Sequence, residues 1–524
     1  MINRLSIFII ALILLGRWCA ATETDTALQA AFRNLHNWQM DEARAASQKL
    51  AGRSDPEATY FRALLAYHEG RYDEARKLVG SLPAEGRPAA VKDFAALVEA
   101  VYAVSQNFRE TESEHFIFRY THKDEILCQY ALDALERAYA AIGTDLRCLP
   151  TDKVIVEVYP DAGSFGKAST LKMEDIQKSG VIGICHSNRV MITSPRVVMN
   201  GYPWLDTLCH EYCHFVIIKK TANAVPVWLH EGIAKFEEER WRAERSFDLA
   251  PLSASVLAEG LKRDYLISFE QMHPTLARLN HYDAALAYAE ACTVVHFLFQ
   301  QYGADALVKI LDRSRETRDA AKAISDVTGA PFSMFHDRWL AWVKKQKLAV
   351  VPGLKVLPPA LKTGAEPSEH DLAGEVNKKA EDLVLIGDLL VADGHLDAAV
   401  VEYDKAIAAS DTISRYISNR VAFVLISQRK LDKAEDLLLR VKGYYPDFQV
   451  TYVNLGRVYA DRKNYVEAAK CLEEAVRINP FDLVAHSLLA DAYEKLGRKE
   501  DFAAQQNRIE IVRKALFGKP AAEP

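Results

Sequence analysis

Apolar positions recur along this chain with two different periods, and the changes between them divide it. From the twenties to about residue 105 the spacing is helical. Asp41-Glu-Ala-Arg44 returns as Asp73-Glu-Ala-Arg76, and Ala63 to Ala75 reads as helix, Gly turn, helix, with Ala89 to Ser105 as a further helix. Glu114-His-Phe-Ile-Phe-Arg-Tyr120 then alternates, and Lys153 to Tyr159 and Arg189 to Thr193 also read as strands, so three strands are expected, with a helix from Glu125 to Ile142 between the first two. Leu208, Phe215, Val216, Ile217 and Ile218 mark a buried helix, Val227 to Phe236 a second after Pro226, and Tyr288 to Leu298 a third. Beyond residue 376 small and aromatic residues recur at fixed intervals in a purely helical pattern.

That last pattern places Gly387, Gly394, Ala399, Tyr403 and Ala406 in one frame, and Gly456, Tyr459, Ala468, Ala475 and Pro480 in the same frame later. Ala422, Ala434 and Pro446 fall between them; Ala490, Tyr493 and Gly497 form a weaker fourth copy. The unit resembles the tetratricopeptide repeat (TPR), over 376–516 and again, with fewer matches, over 24–108. Such repeats stack into a superhelix with a concave face, which implies a protein partner or substrate bound there. Val351-Pro-Gly-Leu-Lys-Val-Leu-Pro-Pro359 and Lys362 to Ser368 carry the Pro and Gly of a linker, set at 346–375, which should let the second array shift.

Length, charge and the first residues narrow the class. With 524 residues the chain exceeds one core and should hold roughly two to four domains. A net charge of -6 with 26% charged residues gives no basic excess for nucleic acid. A basic start at Arg4, an apolar run from Leu5 to Leu15 and Cys19-Ala-Ala21 read as a signal peptide over 1–21, the run being too short to span a bilayer. Arg17-Trp18 are too large for a lipoprotein signal before Cys19. A periplasmic or secreted protein is expected, with no stable membrane span. The seven other cysteines are an odd, scattered set, read as buried thiols, with Cys128 and Cys148 the pair to watch.

The chemistry lies between the helical arrays, in 109–345. His210, Glu211 and His214 form H-E-x-x-H on the buried helix, and positions i and i+4 bring both imidazoles to one face, where they can reach one ion. A catalytic zinc takes three protein ligands and leaves one position for water, and Glu231 is the candidate third. Trp228-Leu-His-Glu-Gly-Ile-Ala-Lys-Phe236 resembles the third-ligand helix of gluzincin metallopeptidases, and the sheet leading into H-E-x-x-H is most similar to the peptidase MA-like domain. The resemblance implies one zinc per chain held by His210, His214 and Glu231, with Glu211 as general base. Tyr288-Ala-Glu-Ala291 matches the segment whose Tyr donates to the oxyanion. It also implies that the strand beside the zinc helix, here 189–193, can hold an extended substrate by strand addition.

Several positions depart from that pattern. The connection from His214 to Glu231 is shorter than in aminopeptidase-N-like enzymes, and His230 stands where Asn is usual. No G-x-M-E-N sequence anchors a free amino terminus, so an endopeptidase is expected. Glu238 lies on the Glu231 face and could orient a ligand His. The expected fold is mainly α, with an α+β zincin-like catalytic domain between an N-terminal set of TPR-like hairpins and a C-terminal TPR superhelix. The expected function is an exported zinc metallopeptidase. The alternative is a TPR binding protein with an inactive peptidase-fold module.

Overall fold

The computed structural model describes residues 26–357, 376–410 and 412–518. The expected signal peptide, Cys19 and most of the Pro-rich stretch lie outside them. The architecture is mainly helical, as the patterning predicts, around a sheet of five strands where three were expected. Two helical hairpins (Thr26–His36 with Met40–Lys49, Pro56–His68 with Tyr72–Gly80) and the helix Ala89–Ser105 come first. Asp55 starts one of these helices by accepting from the Ala58 amide, with Pro56 in the first turn.

The strands are β1 (Phe108–Glu112), β2 (Phe116–Thr121), β3 (Val154–Tyr159), β4 (Gly183–His186) and β5 (Arg189–Thr193). Their order is β1-β2-β3-β5-β4; β2, β3 and β5 run parallel, with β1 and β4 antiparallel at the edges. The expected edge at 189–193 is therefore corrected. β5 is paired on both sides, and β4 is the edge strand. The cause is local: Ser187 and Asn188 both adopt left-handed φ, 52° and 61°, and turn the chain back on itself as a tight hairpin.

Both faces of the central strands are covered. Val154, Val156, Val158, Val190 and Ile192 pack in one core with the helices Cys128–Leu146 and Trp204–Thr221, while Tyr159 and Met191 on the other face join the core of the N-terminal helices. On that second face Glu157 and Arg189 are fully buried and pair at 3.2 Å. Arg189 also donates to the Tyr67 carbonyl at 3.0 Å and to the Tyr67 hydroxyl at 2.9 Å, and Tyr159 donates to Glu157 at 2.8 Å. Tyr72 donates to Glu157, and Arg119 reaches Glu157 at 3.4 Å and the Gly70 carbonyl at 3.0 Å. The second N-terminal hairpin is thus tied to β2, β3 and β5 by charge-assisted bonds out of water.

After the sheet come the helices Trp204–Thr221, Val227–Glu237, Pro251–Lys262 and His281–Tyr302, then three more ending at Val343. Four hairpins follow from Lys378 to Phe517, at the positions the TPR frame predicts, with Ala399, Ala422, Ala434, Ala468 and Ala475 buried at 0% exposure where helices cross. The expected freedom of this array is also corrected, because it folds back onto the central α+β region. Trp204 donates its indole N–H to the Arg477 carbonyl at 2.8 Å, and Asn200 donates to the Tyr416 hydroxyl at 3.2 Å. Arg242 bridges Glu474 at 3.0 Å and Asp206 at 2.8 Å, while Phe481 and Val512 join the core of the central region. Apolar burial at this seam outweighs the freedom that a Pro-rich connection allows.

Arg189→Met should leave the buried Glu157 with only the more distant Arg119 as a charged partner and lower stability by about 3 kcal/mol. Urea unfolding of the full chain measures this, with a loss under 1 kcal/mol counting against the network.

Candidate metal centre

The helix Trp204–Thr221 is apolar nearly all round, so it sits inside the core and carries its few polar side chains to one buried place. His210 and His214 project from it a turn apart, their rings 4.8 Å apart and almost perpendicular at 85°. The helix Val227–Glu237 brings Glu231 opposite. The Nε2 atoms of both histidines lie 3.3 Å from the same oxygen, Oε2 of Glu231. One ligand atom from each of the three falls within 4.8 Å of the other two.

Why the second helix comes so close is written at Gly232. A Cβ there would stand 2.4 Å from the Ala291 carbonyl oxygen, backbone that cannot swing away. Gly232 thus lets the Glu231 helix lie against His281–Tyr302, and Tyr288, one turn before Ala291, is carried to the site. Its ring centre is 6.2 Å from that of His210. Ala291 is itself fully buried, and a larger residue there would push the same helices apart.

Glu211 is buried and faces β4. A Cβ at Gly183 would lie 3.0 Å from Glu211 Oε1 and 2.8 Å from Thr207 Cγ2, so the edge strand rests directly on this carboxylate. Burial raises the Glu211 pKa, and the neighbouring histidines and the Cys185 backbone N–H offset part of that rise. Burial also opposes charge on His210, but Glu231 and Glu238 overcome it and push its pKa up to about 10. The Glu231 carboxyl is driven far below the ordinary range: burial works to raise it, and the His214 and His210 imidazoles outweigh that. The carboxylates draw positive charge to this point, as a proton or as a cation. Two imidazole nitrogens and one carboxylate oxygen are the donor set of a catalytic zinc site, so the residues present fit that ion.

Around these three the surroundings are specific. Glu238 Oε2 lies 3.5 Å from His210 Nδ1 and also pairs with Lys235. His230 packs at 5.5 Å from His214, and burial, with the His214 charge adding to it, lowers its pKa to about 3. Burial raises the Tyr288 hydroxyl well above its usual value, with Glu231, Glu211 and Glu238 adding to it. Lys235 went unread in the sequence, although its place one turn after Glu231 was the available signal. The seven described cysteines are all free, and Cys209 and Cys213 are buried away from the ligand set.

Residues 169–345 match the family model described as the Peptidase MA superfamily. This stretch is a Peptidase MA superfamily domain. Residues 450–482 match the tetratricopeptide repeat model. A search of curated protein sequences returns no match. Among solved structures the chain is similar to the crystal structure of the MamA protein, at 21% identity, covering 28% of this chain and 79% of that one with a TM-score of 0.24. It is also similar to the APC/C hetero-tetramer Cut9–Hcn1 (12% identity, 96% and 82% covered, TM-score 0.27) and to yeast Tom70 (13%, 96% and 94%, 0.21). Likeness at these scores carries no argument about activity or partner.

Gly232→Ala should force the two helices apart and cost about 1–3 kcal/mol by overpacking. Thermal unfolding checks this, and an unchanged midpoint would show that the helices can part without loss.

Proposed function

We propose that the chain is an exported zinc-dependent metallopeptidase, acting as an endopeptidase, whose TPR arrays bind a protein partner or the substrate. The observation that carries this is the convergence of His210, His214 and Glu231 on one point, with Glu211 and Tyr288 beside it. His210, His214 and Glu231 would hold the ion. When bound, zinc activates a water and polarises a scissile carbonyl.

The chain's own residues would do the rest. Glu211, buried and with a raised pKa, takes the proton from the attacking water and passes it to the leaving amine. The Tyr288 hydroxyl stays protonated and donates to the developing oxyanion. Glu238 accepts from His210 Nδ1 and fixes which ring nitrogen faces the ion. An extended substrate would add to β4, the edge strand resting on Glu211. Export is supported by the basic start and apolar run over 1–21, and no described helix is long and apolar enough to cross a membrane.

The purified protein should hold about one zinc per chain, and Glu231→Ala should lose it, because only two ligands remain. Metal analysis measures both. Zinc kept in that variant removes Glu231 from the ligand set. Glu211→Gln should keep zinc and lower turnover of a mixed peptide library by about a hundredfold to ten-thousandfold. Tyr288→Phe should cost less, on the order of 3 kcal/mol of the barrier. Zinc without hydrolysis in the wild-type protein would favour the inactive-module reading.

A further inference from the structure

Between the helices Pro251–Lys262 and His281–Tyr302 the chain runs from Arg263 to Asn280 with a single short 3-10 turn, Leu276–Arg278. Connections of this length inside a compact domain are uncommon, and ordered ones are usually functional, as active-site lids, binding loops and Ω-loops are. The first part is pinned down. Ile267 donates its amide to the buried Glu290 carboxylate at 2.9 Å, Phe269 stacks on Trp228 at 4.3 Å, and Met272 is fully buried. The far end is pinned as well, since Asn280 caps the next helix by accepting from the Asp283 amide at 2.9 Å. Between these anchors the chain crosses the candidate site.

Leu276 is the residue that meets it. Two cavities of about 310 and 220 Å3 flank the site, and His210, Glu211, Gly183 and Tyr288 line both. Leu276 also lines both, while remaining only 2% exposed. It therefore borders both spaces, beside the groups that would act on a peptide bond. A polypeptide occupying both cavities would lie against this side chain. From the opposite lip the helix Met173–Ser179 packs against the Leu276–Arg278 turn and completes the cover. That helix ends at Gly180, and the helix before it, Ala162–Ser169, ends at Thr170, both in the left-handed region at φ 73° and 61°. Each half of the cover is thus a short element set between fixed or sharply turned points, the arrangement in which a few residues absorb a hinge motion.

We propose that residues 273–279 form a self-inhibitory lid, with Leu276 as a plug that must leave the cleft before an extended substrate can bind. The proposal rests on the peptidase reading above. Substrate then competes with an intramolecular occupant, and the fraction of open chains scales the apparent affinity. Selection follows from this: only a segment able to lie extended along β4 displaces the plug.

The test uses the full-length protein and two independent readouts. Amide hydrogen exchange of the wild-type chain should show residues 275–279 opening at least tenfold more often than 281–290. Exchange there as slow as in the helix overturns the lid, whatever the enzyme does. Against an internally quenched peptide library, Leu276→Ala should raise kcat/KM at least fivefold, mainly through KM, with zinc content unchanged. Leu276→Trp should lower it by a similar factor. An alanine variant that is folded and zinc-loaded yet no faster also overturns the proposal, since Leu276 would then be ordinary core. Absence of cleavage by every zinc-loaded form sinks the peptidase reading instead, and the exchange measurement still decides whether the segment opens.

Discussion

Everything near the candidate site hangs on a sheet whose far face is locked by a buried ion pair. Arg189 and Glu157 face away from the histidines, yet they hold β5 and β3 to the N-terminal hairpin through Tyr67 and Tyr72. A pair buried this deeply adds little net stability by itself, because desolvation consumes most of its attraction. What it does supply is register. A one-residue slip of β5 would turn Arg189 into the opposite core and carry β4 off Glu211. The helices before the sheet are thus part of what aligns the site.

Much of this was legible in the sequence, for identifiable reasons. The helical arrays were readable because small residues must recur wherever paired helices cross. Residues 189–193 and 153–159 were readable as strands because burial on both faces makes them apolar nearly throughout. The placing of His210 and His214 followed from spacing, since one helical turn fixes where two histidines can meet, while Glu231 came from the resemblance of its helix to a known third-ligand segment. β1 and β4 were missed, the first being polar Phe-Arg-Glu-Thr-Glu and the second only Gly-Ile-Cys-His. With β4 went the edge assignment, because Ser187-Asn188 is a less familiar hairpin turn than Asn-Gly. Leu276 was invisible for another reason. A leucine in an irregular stretch has no periodic signature, and only tertiary structure places it over a cleft.

The Pro-rich connection misled in a different way. Composition near residue 360 describes how easily a chain bends, and says nothing about what lies at its two ends. Here the ends fit: Trp204 and Arg242 on one side meet Arg477 and Glu474 on the other. Interface chemistry of this kind is spread over residues far apart in sequence and becomes readable only as a surface.

That seam has a metrical consequence. Trp204 is the first residue of the helix that bears His210 and His214, and its indole is fastened to the last turn of a repeat helix. A flexible tether would present a captured protein over a wide range of distances, at an effective concentration set by tether length. A docked array works as a ruler. On the proposed function, whatever the array binds would be offered to the cleft at one separation and one angle. The length of loose chain between a captured motif and a cleavable segment would then matter as much as the sequence of either.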